Sequence, residues 1–154
     1  MLHGHGLRSR DLWGPGAPAG PPVIAEIWQR RYRCQRCGAV VTVRPIGILR
    51  RYLYTAMALV LAFVLWSHAG LSARAVRERV SPNRKLGHTA APKWASLVRW
   101  AAAARRLWRG LGSPPSTAGP REIAGLVSTQ IAARAPVGSG SLITDAFTGA
   151  AHAV

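Results

Sequence analysis

Both cysteines of the chain lie in the stretch Arg30-Arg31-Tyr32-Arg33-Cys34-Gln35-Arg36-Cys37-Gly38-Ala39-Val40-Val41-Thr42-Val43, where they form a C-x-x-C motif followed by glycine. β-prone residues flank the motif on both sides, and Pro45 ends the second β-prone run. Such a turn aims two thiolates at one metal ion, and the glycine allows a backbone conformation that a side chain would resist. Residues 23–46 are therefore predicted to form a β-hairpin with the cysteines at its tip, which is half of a zinc ribbon.

The predicted zinc site is incomplete. A structural zinc ion takes four ligands, and Cys34 and Cys37 supply two of them. His3 and His5 are the nearest further candidates upstream, on a flexible glycine-flanked segment whose ordering costs entropy. The cofactor prediction is therefore zinc at an incomplete site, with weak or absent binding by the chain as given. Free cysteines that only close the hairpin, or a strained disulfide, are the alternatives.

Cationic residues dominate the composition of this 154-residue chain. It has 21 Lys and Arg against five Asp and Glu, for a net charge of +16. All but four of the 21 cations lie between Arg30 and Arg109. Such a surplus indicates a polyanionic partner, which means nucleic acid or an anionic membrane.

The sequence around the hairpin predicts an irregular arm before it and an apolar helix after it. Residues 1–22 are rich in Gly and Pro, which is typical of an irregular segment. The run Leu53–Ser67 is apolar on nearly all faces, as in a helix that is buried or in a membrane. Extended to residues 52–71 it approaches the length of a membrane span, but arginines flank both ends, so no orientation is indicated. A buried core helix is the favoured interpretation.

Further helices are marked by their start and stop signals. Ser72 is a predicted N-cap for a helix over residues 73–80, and Pro92 is placed as the first residue of a third helix. The predicted apolar stripe of that helix comprises Trp94, Leu97, Val98, Ala101, Ala104 and Trp108. The expected fold class is mainly α, with a helix-turn-helix-like three-helix unit after the hairpin. The expected segments are that unit at 51–109, a linker at 110–119, an extra C-terminal helix at 120–134 and a flexible tail at 135–154.

This order of elements resembles the zinc-ribbon plus helix-turn-helix region of bacterial transposases and of related small stand-alone proteins. The resemblance covers roughly residues 23–109 and rests on Arg31 to Gly38, on Gly70-Leu71-Ser72 with Val76-Arg77, and on Trp94 to Trp100. In that family a first C-x-x-C precedes the second. It is missing here, so we expect a truncated or mis-started reading frame.

The resemblance implies DNA binding, with Cys34 and Cys37 as metal ligands and the later helices as readers of the sequence. The expected partners are DNA, other transposition proteins of a mobile element or a second copy of the chain, in the bacterial cytoplasm. The residues expected to contact DNA are Arg30, Arg31, Arg33, Arg36, Arg50, Arg51, Arg74, Arg77, Lys93, Ser96, Arg99, Trp100, Arg105 and Arg106.

Catalysis is not expected, because the five acidic residues are scattered and form no carboxylate cluster for metal ions. Two alternatives to a DNA-binding protein stay open. One is a small inner-membrane protein with a single span near residues 52–71 and a basic cytosolic head. The other is a decayed fragment without a function of its own.

Overall fold

The computed structural model describes residues 1–83, 94–108, 110–112 and 115–153. Within these residues the chain forms a three-stranded antiparallel sheet and five helices. The elements are β1 (Leu2–Pro15), β2 (Pro22–Cys34), β3 (Val40–Thr42), α1 (Ala56–Ser67), α2 (Ala73–Val80), α3 (Ala95–Leu107), α4 (Pro120–Ala132) and α5 (Leu142–His152). The predicted mainly α class is wrong, because the sheet is as much a part of the fold as the helices are.

The largest departure from the sequence-based prediction is β1, which lies where an irregular arm was expected. It pairs with β2 along its whole length, from Leu2 opposite Cys34 to Pro15 opposite Pro22. The register shifts between Gly4 and Leu7, where a β-bulge absorbs the extra residues and Gly6 takes a φ of +84°. Gly6 therefore lies in the bulge of β1, and Pro15 lies at the end of that strand. Their presence does not make residues 1–22 irregular.

The predicted hairpin around the cysteines is confirmed. β2 and β3 are antiparallel, with Tyr32 opposite Val41, and the C-x-x-C motif forms the turn between them. Together β1 and β2 make a ribbon whose strands are 13 and 14 residues long. At the usual rise of a strand, such a ribbon is about 45 Å long.

Helix α1 forms the centre of the helical part. Thr55 caps it by accepting a hydrogen bond from the backbone N–H of Ala58 at 3.0 Å. Every residue from Leu59 to Leu65 is buried, so the helix has no solvent-facing side. The favoured prediction of a core helix is confirmed. Among the described residues, no helix is long and apolar enough to cross a membrane.

The helices around α1 do not form the predicted three-helix unit. α4 and α5 pack more extensively against α1 than α2 or α3 do, and they also pack against each other. The segment predicted as a flexible tail contains α5, in which Ala146, Phe147 and Ala150 are buried. An apolar helix without a polar face needs cover on all sides, and the C-terminal residues supply part of that cover.

Among the described residues, the end of the ribbon at Trp13 and Gly14 is attached to the helical part. The Trp13 N–H donates to the Leu53 carbonyl at 2.8 Å, and the Thr55 N–H donates to the Trp13 carbonyl at 3.1 Å. Gly14 has a φ of +137°, and a Cβ placed on it would lie 2.5 Å from the Cβ of Ala58. The Trp13 ring also makes an edge contact with Tyr54, whose ring packs against Trp94 and Trp100. The ribbon therefore projects from the helices with the cysteine turn at its far end.

The close approach of α4 and α5 gives a first stability prediction. A Cβ at Gly149 would collide with the carbonyl oxygen of Ile131, whereas a Cβ at Gly125, also inside a helix, would be in ordinary contact with Ser67 at 3.4 Å. We expect Gly149→Ala to lower the free energy of unfolding by roughly 1–3 kcal/mol. Gly125→Ala is the matched control and should be neutral or slightly stabilising, since alanine favours helix. Chemical denaturation of both variants checks this, and equal stabilities would contradict the packing of α5 on α4.

The aromatic contact at Tyr54 gives a pH prediction. Burial raises the pKa of Tyr54 above its ordinary value, although its hydrogen bond to Ser81 acts in the opposite direction. Above about pH 10, the unfolded chain releases this proton while the folded chain retains it, so rising pH favours unfolding. We expect the stability of the wild type to fall more steeply above pH 10 than that of Tyr54→Phe. Thermal unfolding between pH 8 and pH 11 measures this, and parallel curves would contradict it.

Candidate nucleic-acid interface

Five arginines line one cleft between the sheet and the segment that leads into α1. The cleft has a volume of about 830 Å³, and its charged lining residues are Arg8, Arg10, Arg44, Arg50 and Arg51. None of the described residues that line it is acidic. In the part of the chain that the structure describes, none of these five guanidinium groups forms an ion pair. We call this feature the arginine cleft.

One wall of the arginine cleft is a face of the ribbon. Arg8 lies opposite Gln29, and Arg10 lies opposite Ile27. Residues directly opposite each other in an antiparallel pair share a face, as do residues two apart on one strand. Arg8, Arg10 and Gln29 therefore point to the same side. Arg31 and Arg33 lie further along the same face toward the cysteine turn. This set of four arginines forms the basic face of the ribbon.

The second wall comes from the residues between β3 and α1. Arg44 lies two residues after the end of β3, and Arg50 and Arg51 lie in a turn shortly before α1. Arg51 has a φ of +64°, the left-handed conformation that residues with a side chain rarely adopt. Backbone strain of this kind costs of the order of 1–3 kcal/mol and is concentrated at functional sites. The turn therefore places the charged side chain of Arg51 at the cleft, although the backbone conformation this requires is unfavourable for a residue with a side chain.

The like charges in the cleft act on one another. Burial, and then the neighbouring charges of Arg44 and Arg8, lower the pKa of Arg10 from its ordinary value. An arginine stays protonated at neutral pH in spite of such a shift. The fold therefore places the positive charges of Arg8, Arg10 and Arg44 close enough to repel one another. A bound anion would reduce that repulsion.

Gln29 supplies a further hydrogen-bond donor to the arginine cleft. Only 4% of this residue is exposed, and its Nε2 is buried without a hydrogen-bond partner among the described residues. A buried donor without a partner costs about 1–3 kcal/mol. Gln29 lines the cleft, so an oxygen atom of a bound anion could accept this hydrogen bond.

The structure distributes the other predicted DNA-binding residues over several surfaces. Arg30 and Arg36 are exposed, on the opposite face of the ribbon and in the cysteine turn respectively. Arg74 and Arg77 lie on α2, where Arg74 pairs with Glu78 at 3.1 Å. Ser96 and Arg99 form a hydrogen bond with each other on α3, and Arg106 is exposed near its end. Lys93 and the side chain of Arg105 lie outside the described part of the chain.

Trp100, one of the residues expected to contact DNA, is buried. Its ring packs against Tyr54 at a centroid distance of 4.8 Å, and 7% of the residue is exposed. Val98, which was assigned to the apolar stripe of α3, is 45% exposed instead. The buried side of α3 therefore includes Trp100 and excludes Val98, because Trp100 completes the aromatic contacts near the attachment of the sheet. As a result, α3 does not present the residues expected to contact DNA on one exposed face.

Sequence reasoning missed Arg8, Arg10 and Arg44. The stretch Leu7-Arg8-Ser9-Arg10 alternates with a period of two, which places both arginines on one face of a strand. That signal was present, but the glycine and proline content of residues 1–22 favoured an irregular arm. Arg44 has no local pattern that could indicate its position.

The cysteine turn has the geometry of a metal-binding knuckle. Gly38 has a φ of +71° and donates its N–H to the Cys34 carbonyl at 2.9 Å. Hydrogen bonds from the backbone N–H groups of Cys37 and Arg36, and from the Cys37 thiol, lower the pKa of Cys34 from its ordinary value. Two sulfur atoms and the N–H groups that stabilise a thiolate are therefore assembled at the tip of the ribbon.

The described residues of one chain bring two candidate zinc ligands together, Cys34 and Cys37. Within the described ranges, no group of three His, Cys, Asp or Glu side chains could hold a metal. His3 lies opposite Arg33, which places it on the other face of the ribbon from Cys34, and His5 lies in the bulge. His68 lies at the end of α1, far from the cysteine turn in sequence. Its Nε2 lies 3.3 Å from the carbonyl oxygen of Gly125, so this side chain joins α1 to α4.

The orphan amide of Gln29 gives a testable prediction. Gln29→Met keeps the side-chain length and removes the unsatisfied donor, so we expect the free energy of unfolding to rise by roughly 1 kcal/mol. Gln35→Met, in the exposed cysteine turn, is the matched control and should change little. Urea denaturation measures both. A clear loss of stability in Gln29→Met would show that the amide has a partner in the free protein.

The chain was also compared with known proteins. No protein-family model, no curated protein and no solved structure matches it.

Proposed function

We propose that the chain is a non-catalytic DNA-binding protein that grips the phosphate backbone with its arginine cleft and basic face. The observation that carries this proposal is the set of five arginines around one cleft, which have no ion pair and no acidic lining neighbour among the residues that the structure describes. Arginine presents a planar fork of N–H donors that matches phosphate oxygens. Phosphate contacts supply most of the affinity of non-specific DNA binding.

The extent of the basic surface favours a linear polyanion over a single small anion. Side chains two residues apart on a strand are separated by about 7 Å. Arg31 and Arg33 continue the basic face beyond the cleft toward the tip of the ribbon. One phosphate group could not contact all of these arginines, whereas a phosphate chain could contact them in succession.

The shape of the ribbon supports duplex DNA as that polyanion. The major groove of DNA admits a two-stranded β-ribbon, and other DNA-binding proteins use strands in either groove. A long ribbon that is attached to the helical part at one end can enter a groove without obstruction by the helices. The proposed contact surface is therefore the ribbon with its adjoining cleft, and it includes Arg50 and Arg51 from the sequence-based set.

The resemblance to transposase DNA-binding regions stays a prediction. It rests on the cysteine turn and on the residues quoted from α2 and α3, and no comparison tests it. The predicted role of Arg99 as a base reader also stays a prediction. Its guanidinium forms a hydrogen bond with Ser96 on an exposed part of α3.

The proposal is tested by titrating duplex DNA at several salt concentrations. The cleft variant is Arg10→Gln with Arg51→Gln, which removes one charge from each wall. The control variant is Arg79→Gln with Arg121→Gln, which removes the same charge from exposed positions on α2 and α4 outside the expected DNA-binding set. We expect the affinity of the wild type to fall steeply with salt, and the slope of the cleft variant to be smaller by about two units, since each phosphate contact contributes about 0.9.

The control variant separates a specific surface from net charge. It should keep a slope close to that of the wild type, because its two arginines lie away from the cleft. Equal losses in the two variants would mean that binding follows total charge and would remove the cleft from the proposal. No binding by the wild type at low salt would refute DNA binding altogether.

A further inference from the structure

The half-site for zinc at the tip of the ribbon lies next to an exposed apolar surface. We propose that two copies of the chain share one zinc ion, which is held by Cys34 and Cys37 of each copy at the tips of their ribbons. This inference does not rest on the proposed DNA binding, because it uses a different face of the sheet.

The coordination chemistry requires four ligands, and the described residues of one chain gather two of them at the turn. A structural zinc ion is bound tetrahedrally by four ligands, and the turn presents two cysteine sulfurs supported by backbone N–H groups. A second copy supplies the same two sulfurs, and a metal on a twofold axis takes equal ligands from both copies. Four Zn–S bonds would form, and four thiol protons would pass to solvent.

The position of the turn allows two copies to meet. The ribbon is attached to the helices near Gly14 and Val23, and the eleven residue-to-residue steps from Val23 to Cys34 span about 36 Å. Cys37 is exposed and neither cysteine is in a disulfide. Two ribbons that lie side by side in the same direction can therefore bring their cysteine turns together.

The face of the ribbon that carries Cys34 has an uncovered apolar patch near its tip. The exposed apolar residues of this patch are Leu2, Leu7, Trp28, Val41 and Val43, and Trp28 is 63% exposed. Arg30 lies on the same face beside Leu7, and the pair Asp11 and Glu26 bounds the patch beyond Trp28. The strand register places Leu2 opposite Cys34 and Val41 opposite Tyr32, so these side chains form one surface that ends at the cysteine turn. A contiguous exposed apolar surface of this kind is typical of an interface. We call it the apolar face.

A second copy of the chain would both complete the zinc site and cover the exposed apolar residues. Its apolar face can cover the first one, and the same approach brings the two cysteine turns into contact. The basic faces of both copies then point outward, away from the interface. A homodimer was among the partners expected from the sequence, and the apolar face gives that expectation a location.

The local charge also suits a shared zinc ion. Four thiolates around Zn²⁺ carry a net charge of −2, and each turn is surrounded by Arg30, Arg31, Arg33 and Arg36. The Arg33 guanidinium lies over the turn, with its Nη2 3.7 Å from the position of a Cβ on Gly38. Without metal, the net charge of +16 on each copy opposes association. Dimer formation should therefore depend on zinc.

The test uses the full chain, purified with a reductant, loaded with zinc and freed of excess metal. We expect one zinc ion per two chains, a dimeric mass by light scattering, and a monomer after addition of a chelator. X-ray absorption at the zinc edge should count four sulfur neighbours at about 2.3 Å. One zinc per chain with two sulfurs, a monomer that retains zinc, or a dimer that survives the chelator would each overturn the proposal.

Two sets of variants separate the metal from the apolar face. Cys34→Ser with Cys37→Ser should abolish both zinc retention and the dimer, while it keeps the salt-dependent DNA binding of the monomer. Leu7→Ser should weaken the zinc-loaded dimer by about tenfold or more, because it replaces a buried apolar contact in each copy. Leu126→Ser, an exposed leucine on α4, is the matched control and should leave the dimer unchanged. Equal dimer affinities for Leu7→Ser and Leu126→Ser would remove the apolar face from the interface.

Discussion

The absence of a polar side on α1 constrains the rest of the structure. Every residue from Leu59 to Leu65 avoids water, so the chain must place other elements around the whole circumference of the helix. α4 and α5 cover most of it, and Gly149 allows those two helices to approach closely. The end of the ribbon covers a further part, where Gly14 lies directly against Ala58. The arrangement of all other elements follows from how this one helix is buried.

The same attachment creates the arginine cleft. Because Trp13 is hydrogen-bonded to the segment just before α1, that segment must run beside the ribbon. Arg50 and Arg51 in that segment are thereby brought to face Arg8 and Arg10 on β1. The cleft brings like charges together and leaves the Gln29 amide without a partner, so both features reduce the stability of the free protein. Features that reduce stability and gather hydrogen-bond donors at one place are expected of a site that binds an anion.

The ribbon has two different faces because side chains alternate along a strand. One face carries the arginines, and the other carries exposed apolar residues that lead to Cys34. A protein that uses the first face for DNA and the second for another copy of itself would hold two basic surfaces at a fixed separation. In that arrangement the cysteine turn would set the register of the two copies, and the metal would determine whether they associate.

The sequence by itself determined the features that depend on near neighbours along the chain. The hairpin at the C-x-x-C motif, the apolar core helix, and the helix that Ser72 begins were predicted correctly, since turns, alternation and caps are local signals. α4 was likewise predicted to within a residue or two of its observed end.

Only the tertiary structure decided which distant segments meet. β1 is stabilised by its pairing with β2, so a sequence rich in glycine and proline forms a strand that its composition does not indicate. Arg8 and Arg51 are far apart in sequence, and no periodicity relates them. Trp100 is buried because it packs against Tyr54. Helix α5 forms part of the core because it packs on the apolar surface of α1. These outcomes depend on contacts between elements, and a local pattern carries no information about a partner elsewhere in the chain.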